Sequence, residues 1–246
     1  MNPTVVYTIA KRELRSYFAT PLALIFLVVF LVLLGFFTFK LGNFFEIGQA
    51  DLRAFFVWHP WLYMFIVPAI SMRLWAEEKR SGTVELLLTL PVTVFEAVTG
   101  KFLAAWIFLG LALLLTTPIV WTVNYLGTPD NGVIVAGYLG SFLLAGTFLA
   151  VGTIMSACTN NQVVSFVLST FCCLFMVLMG YEPVIDVMLQ FAPEPVVDGL
   201  TKMSFPYHFE AIQRGVIDTR DLFYFLSLMI FGLLAASVVI ERTRAD

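Results

Sequence analysis

Apolar residues run along this chain in long stretches that contain no charged side chain. Five such stretches lie between Arg15 and Lys40, Arg53 and Arg73, Lys101 and Asp130, Asp130 and Glu182, and Asp221 and Glu241. A helix that rises ~1.5 Å per residue needs about 20 apolar residues to cross ~30 Å of hydrocarbon. Four stretches therefore fit one spanning helix each. The longest stretch fits two, because a polar run at residues 156–162 divides it.

This pattern predicts an all-α integral membrane protein, and we treat residues 1–246 as a single transmembrane domain. The six predicted transmembrane helices lie near residues 21–41, 55–75, 102–125, 133–156, 162–181 and 222–240. The first apolar stretch is longer than the ~7–15 residues of a signal-peptide core, so we interpret it as a span. Pro68 and Pro118 fall inside the second and third spans and are expected to kink them.

The composition excludes two classes of protein, soluble enzymes and nucleic-acid-binding proteins. Of the 246 residues, 60% are hydrophobic and 13% are charged, whereas a soluble domain typically carries about 25% charged residues. A soluble enzyme of this size could not cover its surface with so few charges. The net charge of −3 provides no basic surface for a nucleic-acid backbone.

The distribution of basic residues predicts the orientation. With six spans both termini lie on one side, and that side holds nine Lys and Arg residues against five on the other. The positive-inside bias therefore places both termini in the cytoplasm, and we expect a multi-pass protein of the bacterial cytoplasmic membrane.

The first twenty residues predict an amphipathic helix that lies in the membrane interface. Asn2 can cap it and Pro3 suits its first turn. One face of this helix carries Thr8, Lys11, Arg12 and Arg15, and the other carries Val6, Ala10, Leu14 and Tyr17. The alternative is a basic flank that merely follows the positive-inside rule.

The connection between spans two and three, residues 77–96, predicts a short helix over Ser81–Leu90. Ser81 can cap its start, Pro91 disfavours helix at Leu90, and Thr93 with Glu96 forms a capping box that starts the next helix. The short helix presents several leucines to a compartment that is otherwise aqueous. It therefore needs a partner surface, unless the leucines dip into the bilayer interface.

The connection at residues 182–221 lies on the outer side. Its segments 184–191 and 196–203 are amphipathic, which predicts paired short helices packed on the outer ends of the spans. Span four has small residues at four-residue spacing, which favour close packing either inside one subunit or in a dimer. These small residues are Gly137, Ser141 and Ala145, with Gly146 and Ala150.

The sequence lacks the residue patterns that several kinds of chemistry require. The chain has no G-x-x-x-x-G-K-[ST] phosphate loop and no H-E-x-x-H motif, and Cys158, Cys172 and Cys173 do not have metal-ligand spacing. His208 lacks a glycine-framed nucleophile nearby. The apolar stretches between the flanking charged residues contain no Asp, Glu, Lys or Arg, which disfavours a self-contained channel or ion-coupled carrier. We therefore predict no catalytic, cofactor or metal site on this chain.

The segment Glu77-Glu78-Lys79-Arg80-Ser81-Gly82-Thr83-Val84-Glu85-Leu86-Leu87-Leu88-Thr89-Leu90-Pro91-Val92, followed by Glu96 and Gly100-Lys101, strongly resembles the first cytoplasmic loop of ABC-2 type permeases. The basic N-terminus, the six spans and the polar turn at 159–162 resemble that family as well. The stretch from His208 to Tyr224 looks like its gliding-motility-type and copper-enzyme-maturation-type branch.

The resemblance implies a permease that works as a dimer with a separate cytoplasmic ATPase, which would carry the ATP and Mg. It also implies a possible membrane-anchored extracytoplasmic partner. The coupling helix on the ATPase would include Glu78, Arg80, Ser81, Gly82, Thr83, Glu85, Leu86, Leu87, Leu90 and Pro91. A second contact would be made by Ser156, Thr159, Asn160, Asn161 and Gln162. Either export or mechanical transmission to an outer partner remains open.

Overall fold

The computed structural model describes residues 2–46, 48–84 and 91–243, and these residues fold into helices and connecting turns with no strand. The helices are α1 (Pro3–Ala19), α2 (Pro21–Phe36, continued by a π-helical turn at Phe37–Leu41), α3 (Arg53–Phe56), α4 (His59–Ser71), α5 (Ala76–Ser81), α6 (Val94–Leu114), α7 (Pro118–Leu126), α8 (Asn131–Cys158), α9 (Gln162–Leu178), α10 (Glu182–Phe191), α11 (Glu194–Thr201), α12 (Phe205–Gln213) and α13 (Thr219–Thr243).

Among the described residues, five helical segments are long and apolar enough to cross a membrane: Pro21–Leu41, Arg53–Ser81, Val94–Leu126, Asn131–Cys158 and Thr219–Arg242. A sixth candidate is α9 together with α10, a pair bent by 77°. This confirms the prediction of an all-α integral membrane protein. The first segment coincides with the predicted span, and the other four extend beyond theirs because the helices continue past the apolar residues at their ends.

Helix directions inside the bundle alternate as six crossings require. Tyr63 of α4 bonds to Ser141 of α8, and Trp75 beyond the end of α4 bonds to Ser156, so the two run in the same direction. Gly232 of α13 meets Ala150 and the earlier Met229 meets Gly146, so α13 also runs with α8. The chain must therefore return between α8 and α13, and α9 makes that crossing. We call the end of α8 near Cys158 the cytoplasmic end, following the charge pattern.

The two prolines act differently. Pro118 begins α7 after a break that follows Leu114, as a kink in the third span requires. Pro68 stays inside the continuous helix α4. Its missing N–H therefore weakens that helix without dividing it.

The small residues of α8 pack inside this chain. A side chain at Gly137 would meet Phe56, and Ser141 bonds to Tyr63 at 2.7 Å. On the other side, Gly146 faces Trp106 and Met229. Both small faces are therefore covered by the protein's own helices, which places α8 at the centre of the bundle.

The outer connection differs from the prediction. Helices form at α10 and α11, where the amphipathic segments lie, but a third helix, α12, packs along the outer half of α8. The ring of Phe205 is tilted against that of Phe148, with centroids 4.8 Å apart, and Ile212 lies against Gly140. Phe205, Phe209 and Ile212 are buried and share one face of α12. This connection therefore reaches into the bundle instead of resting on its end.

The apolar face of α1 is the predicted one, and it packs against α6. The backbone N–H of Asn2 donates to Glu96, Ile9 lies against Gly100, and Tyr17 stacks on Phe108 at 5.1 Å. The contacts advance along both helices in the same direction. The basic side chains Lys11, Arg12 and Arg15 are exposed on the opposite face.

Candidate functional site

The connection between the second and third spans begins with α5, which ends where the predicted helix was expected to start. Ser81 is the last residue of α5, and its hydroxyl donates to the backbone carbonyl of Glu77 at 3.0 Å. Gly82 follows in the left-handed conformation, with φ of +71°, which favours glycine and ends the helix. The prediction that Ser81 caps the start of a helix is therefore wrong. The residue closes α5 instead.

The far end of the connection has the predicted capping box. Thr93 accepts a hydrogen bond from the backbone N–H of Glu96 at 3.3 Å, and Glu96 accepts one from the N–H of Thr93 at 3.0 Å. Glu96 also accepts the N–H of Asn2. One carboxylate thus fixes both the start of α6 and the start of α1.

Residues 85–90 lie outside the described residues, so the predicted coupling positions Glu85, Leu86, Leu87 and Leu90 do too. The positions on either side of this segment are described. Arg80, Ser81, Gly82, Thr83 and Pro91 are exposed at the cytoplasmic end. Glu78 differs from them, because its carboxylate bonds to Lys101 inside the chain at 2.7 Å.

The turn between α8 and α9 is bonded to α5 through Ser156. The Ser156 hydroxyl accepts the backbone N–H groups of Trp75 and Ala76, each at 3.1 Å, and donates to the carbonyl of Met72 at 3.1 Å. Lys79 donates to the carbonyl of Ala157. Ser156 is fully buried, so it joins two elements instead of offering its side chain to an aqueous partner.

The rest of this turn is polar and mostly exposed. Asn161 caps α9 by accepting the N–H of Val163 at 2.9 Å, and Thr159 accepts the N–H of Asn161 at 3.2 Å. Asn160 is exposed, and Gln162 begins α9. Hydrogen bonds at Ser156 and Ala157 therefore hold the second predicted contact segment against residues 72–79, where α5 begins.

Sequence reasoning missed a cluster of charges beside these segments. Lys101 is 3% exposed and contacts Glu13 at 3.2 Å as well as Glu78. Arg73 and Glu77 form a bidentate ion pair at 2.7 and 3.0 Å. All five side chains line one cleft of about 280 Å³ between α1, α2, α5 and α6. One feature of the sequence could have revealed this cluster: Lys101 stands just before an apolar stretch. A lysine that is buried there needs carboxylate partners.

Both ring nitrogens of His208, on the outer side, have partners within the chain. His208 places Nδ1 2.6 Å from an Asp221 oxygen and Nε2 2.9 Å from the carbonyl of Lys202. Ser204 accepts the N–H of Tyr207 as a helix cap. The histidine and the serine are thus engaged elsewhere and do not form a nucleophile–base pair. Among the described residues, no group of three or more His, Cys, Asp or Glu could hold a metal ion.

A helical bundle with five to six candidate spans, short helices on one side and an exposed connection on the other is the architecture of a multi-pass membrane protein. The sequence matches the profile of the ABC-2 family transporter proteins over residues 48–196. The chain belongs to this family, and it is therefore the membrane-spanning permease component of an ABC transporter. Family membership implies a cytoplasmic ABC ATPase as its partner. No protein of curated function matched the sequence.

Proposed function

We propose that this permease converts ATP hydrolysis by a separate ATPase into work across the bacterial cytoplasmic membrane, and that the ATPase docks on residues 78–91. The observation that carries the proposal is the exposed run from Arg80 to Thr83, which leads into the four leucines of residues 85–90 and ends at the exposed Pro91. A leucine-rich sequence in the connection between two spans is typical of a segment that a partner surface covers. The turn 159–162, bonded alongside through Ser156, supplies a second contact.

A second copy of the chain is proposed to cover α9. This helix packs on the bundle through a narrow stripe of Ser165, Ser169, Cys173 and Val177. Its outward face is wide and apolar, and comprises Val163, Val164, Val167, Leu168, Phe171 and Phe175. A seam formed by this face would be apolar, because the two serines turn inward. Such a seam favours mechanical transmission to an outer partner over a polar export path.

A self-contained carrier has weaker support. His59 is the titratable side chain buried in the second span, and its Nδ1 lies 3.3 Å from the carbonyl of Phe56. Its ring is surrounded by Phe30, Phe55 and Tyr63. The imidazole is packed as part of an aromatic cluster, whereas ion-coupled carriers usually place Asp, Glu, Lys or Arg in the membrane.

The test is co-purification of the ATPase with a tagged Leu86→Asp variant. An unpaired carboxylate buried in the contact should weaken association at least about tenfold, because it costs 2–5 kcal/mol. Val216→Asp is the matched control, since Val216 is 60% exposed on the outer side. Wild-type recovery of the ATPase with Leu86→Asp would refute the docking site.

A further inference from the structure

Lys101 lies where three elements of the cytoplasmic end meet. It belongs to α6, Glu13 belongs to α1 and Glu78 belongs to α5. Its ammonium group lies 2.7 Å from the Glu78 carboxylate and 3.2 Å from that of Glu13. The ring of Trp75, at the start of α5, lies 5.4 Å away. A single buried cation therefore joins two anions from different helices.

Stability alone is a poor explanation for this arrangement. Desolvating an ammonium and two carboxylates offsets much of their attraction, and apolar residues of similar volume often stabilise such a site equally well. The arrangement does fix geometry, because each carboxylate must stay within bonding distance of the same nitrogen. It thereby sets the position of α5 relative to α6 and α1.

Helix α5 is the element that needs such a fixed position. It is six residues long and ends at Gly82, three residues before the leucine-containing segment. Ser156 bonds to the N–H groups at its start, and Glu78, the third of its six residues, bonds to Lys101 of α6. The Glu78–Lys101 contact therefore ties α5 to the third span. Glu13 extends the same link to α1.

We propose that Lys101 is a positioning residue that makes α5 move together with α6 and α1, so that displacement of residues 85–90 by the ATPase reaches the third span. The inference rests on the proposed function. It assigns different roles to the two carboxylates. Glu78 carries the motion into α6, whereas Glu13 only adds α1, which Asn2 and Tyr17 already hold against α6.

The test compares Glu78→Gln with Glu13→Gln in the complex with its ATPase. Both variants remove one negative charge and leave Lys101 one carboxylate. Because Glu78 belongs to the proposed docking segment, the comparison uses complexes in which each variant recovers as much ATPase as wild type. Motion is followed as the distance between spin labels at the exposed residues Tyr125 and Glu194 in a cysteine-free background, without nucleotide and after trapping with ATP and vanadate. Labelled copies are diluted with unlabelled ones.

We expect wild type and Glu13→Gln to change distance on trapping, and Glu78→Gln to lose the change. Lys101→Met should behave like Glu78→Gln while hydrolysing ATP within about twofold of wild type, because Lys101 is buried away from the docking surface. Lys101→Arg should keep the change. Lys202→Met, at an exposed ion pair on the outer side, should resemble wild type.

Equal behaviour of Glu78→Gln and Glu13→Gln would overturn the inference, because a purely structural cluster does not distinguish its two anions. An unaltered distance in wild type with ATPase bound would overturn it as well. A wild-type chain that binds no ATPase would instead contradict the proposed function. If Lys101→Met does not fold, the two glutamine variants still decide the question.

Discussion

At the residue scale, a few buried polar side chains hold the cytoplasmic end together. Ser156 serves three backbone groups with one hydroxyl, and Lys101 serves two carboxylates with one ammonium. The partners of Ser156 lie 80 to 84 residues away along the chain, and Glu13 lies 88 residues from Lys101. Local sequence patterns do not reveal such pairs, so the sequence predicted a polar turn at Ser156 but not its bonds to α5.

Replacing Ser156 with Ala should destabilise the protein by about 1–3 kcal/mol, because it leaves buried backbone N–H groups without a partner. The measurement is thermal unfolding in detergent. Ser81→Ala is the control, since Ser81 is exposed and its hydroxyl bonds only within its own helix and turn. Equal stability of the two variants would contradict the role assigned to Ser156.

At the element scale, the periodic features were the predictable ones. The five apolar stretches, the two faces of α1 and the Thr93–Glu96 capping box all follow from spacing along one helix. The position of α12 did not follow, because its buried face of Phe205, Phe209 and Ile212 stands in a segment rich in charge and proline. Ser81 was assigned to the wrong helix end, since a serine before glycine fits either an N-cap or a C-terminal turn.

Close packing of α8 on α4 predicts the effect of an added methyl group. A Cβ at Gly152 would lie 2.7 Å from the Cβ of Ser71, so Gly152→Ala should destabilise the bundle by about 1–3 kcal/mol. Gly199→Ala is the matched control, because a Cβ there meets nothing within 4 Å and alanine favours the helix. The measurement is the unfolding temperature of each variant. If Gly152→Ala does not unfold at a lower temperature than Gly199→Ala, the packing described for α8 is contradicted.

At the scale of the whole molecule, the alternating helix directions and the charge distribution define one topology. In a cysteine-free background, a cysteine at Thr83 should be shielded from an impermeant thiol reagent in intact cells, whereas one at Glu194 should label. In a variant that keeps Cys158 as its single cysteine, this residue, exposed at the end of α8, should also be shielded. Membrane disruption should make all three react, and labelling of Thr83→Cys in intact cells would reverse the orientation.

The central claim is that the energy enters from a separate ATPase through residues 78–91. The most direct measurement is ATP hydrolysis by the purified chain, alone and together with its co-purified ATPase. Because the chain has no phosphate loop, we predict no hydrolysis by the chain alone and hydrolysis with the partner. Mutating the phosphate-loop lysine of the ATPase should abolish hydrolysis and leave assembly intact. Transport by this chain in liposomes without any ATPase, driven by an ion gradient, would contradict the account.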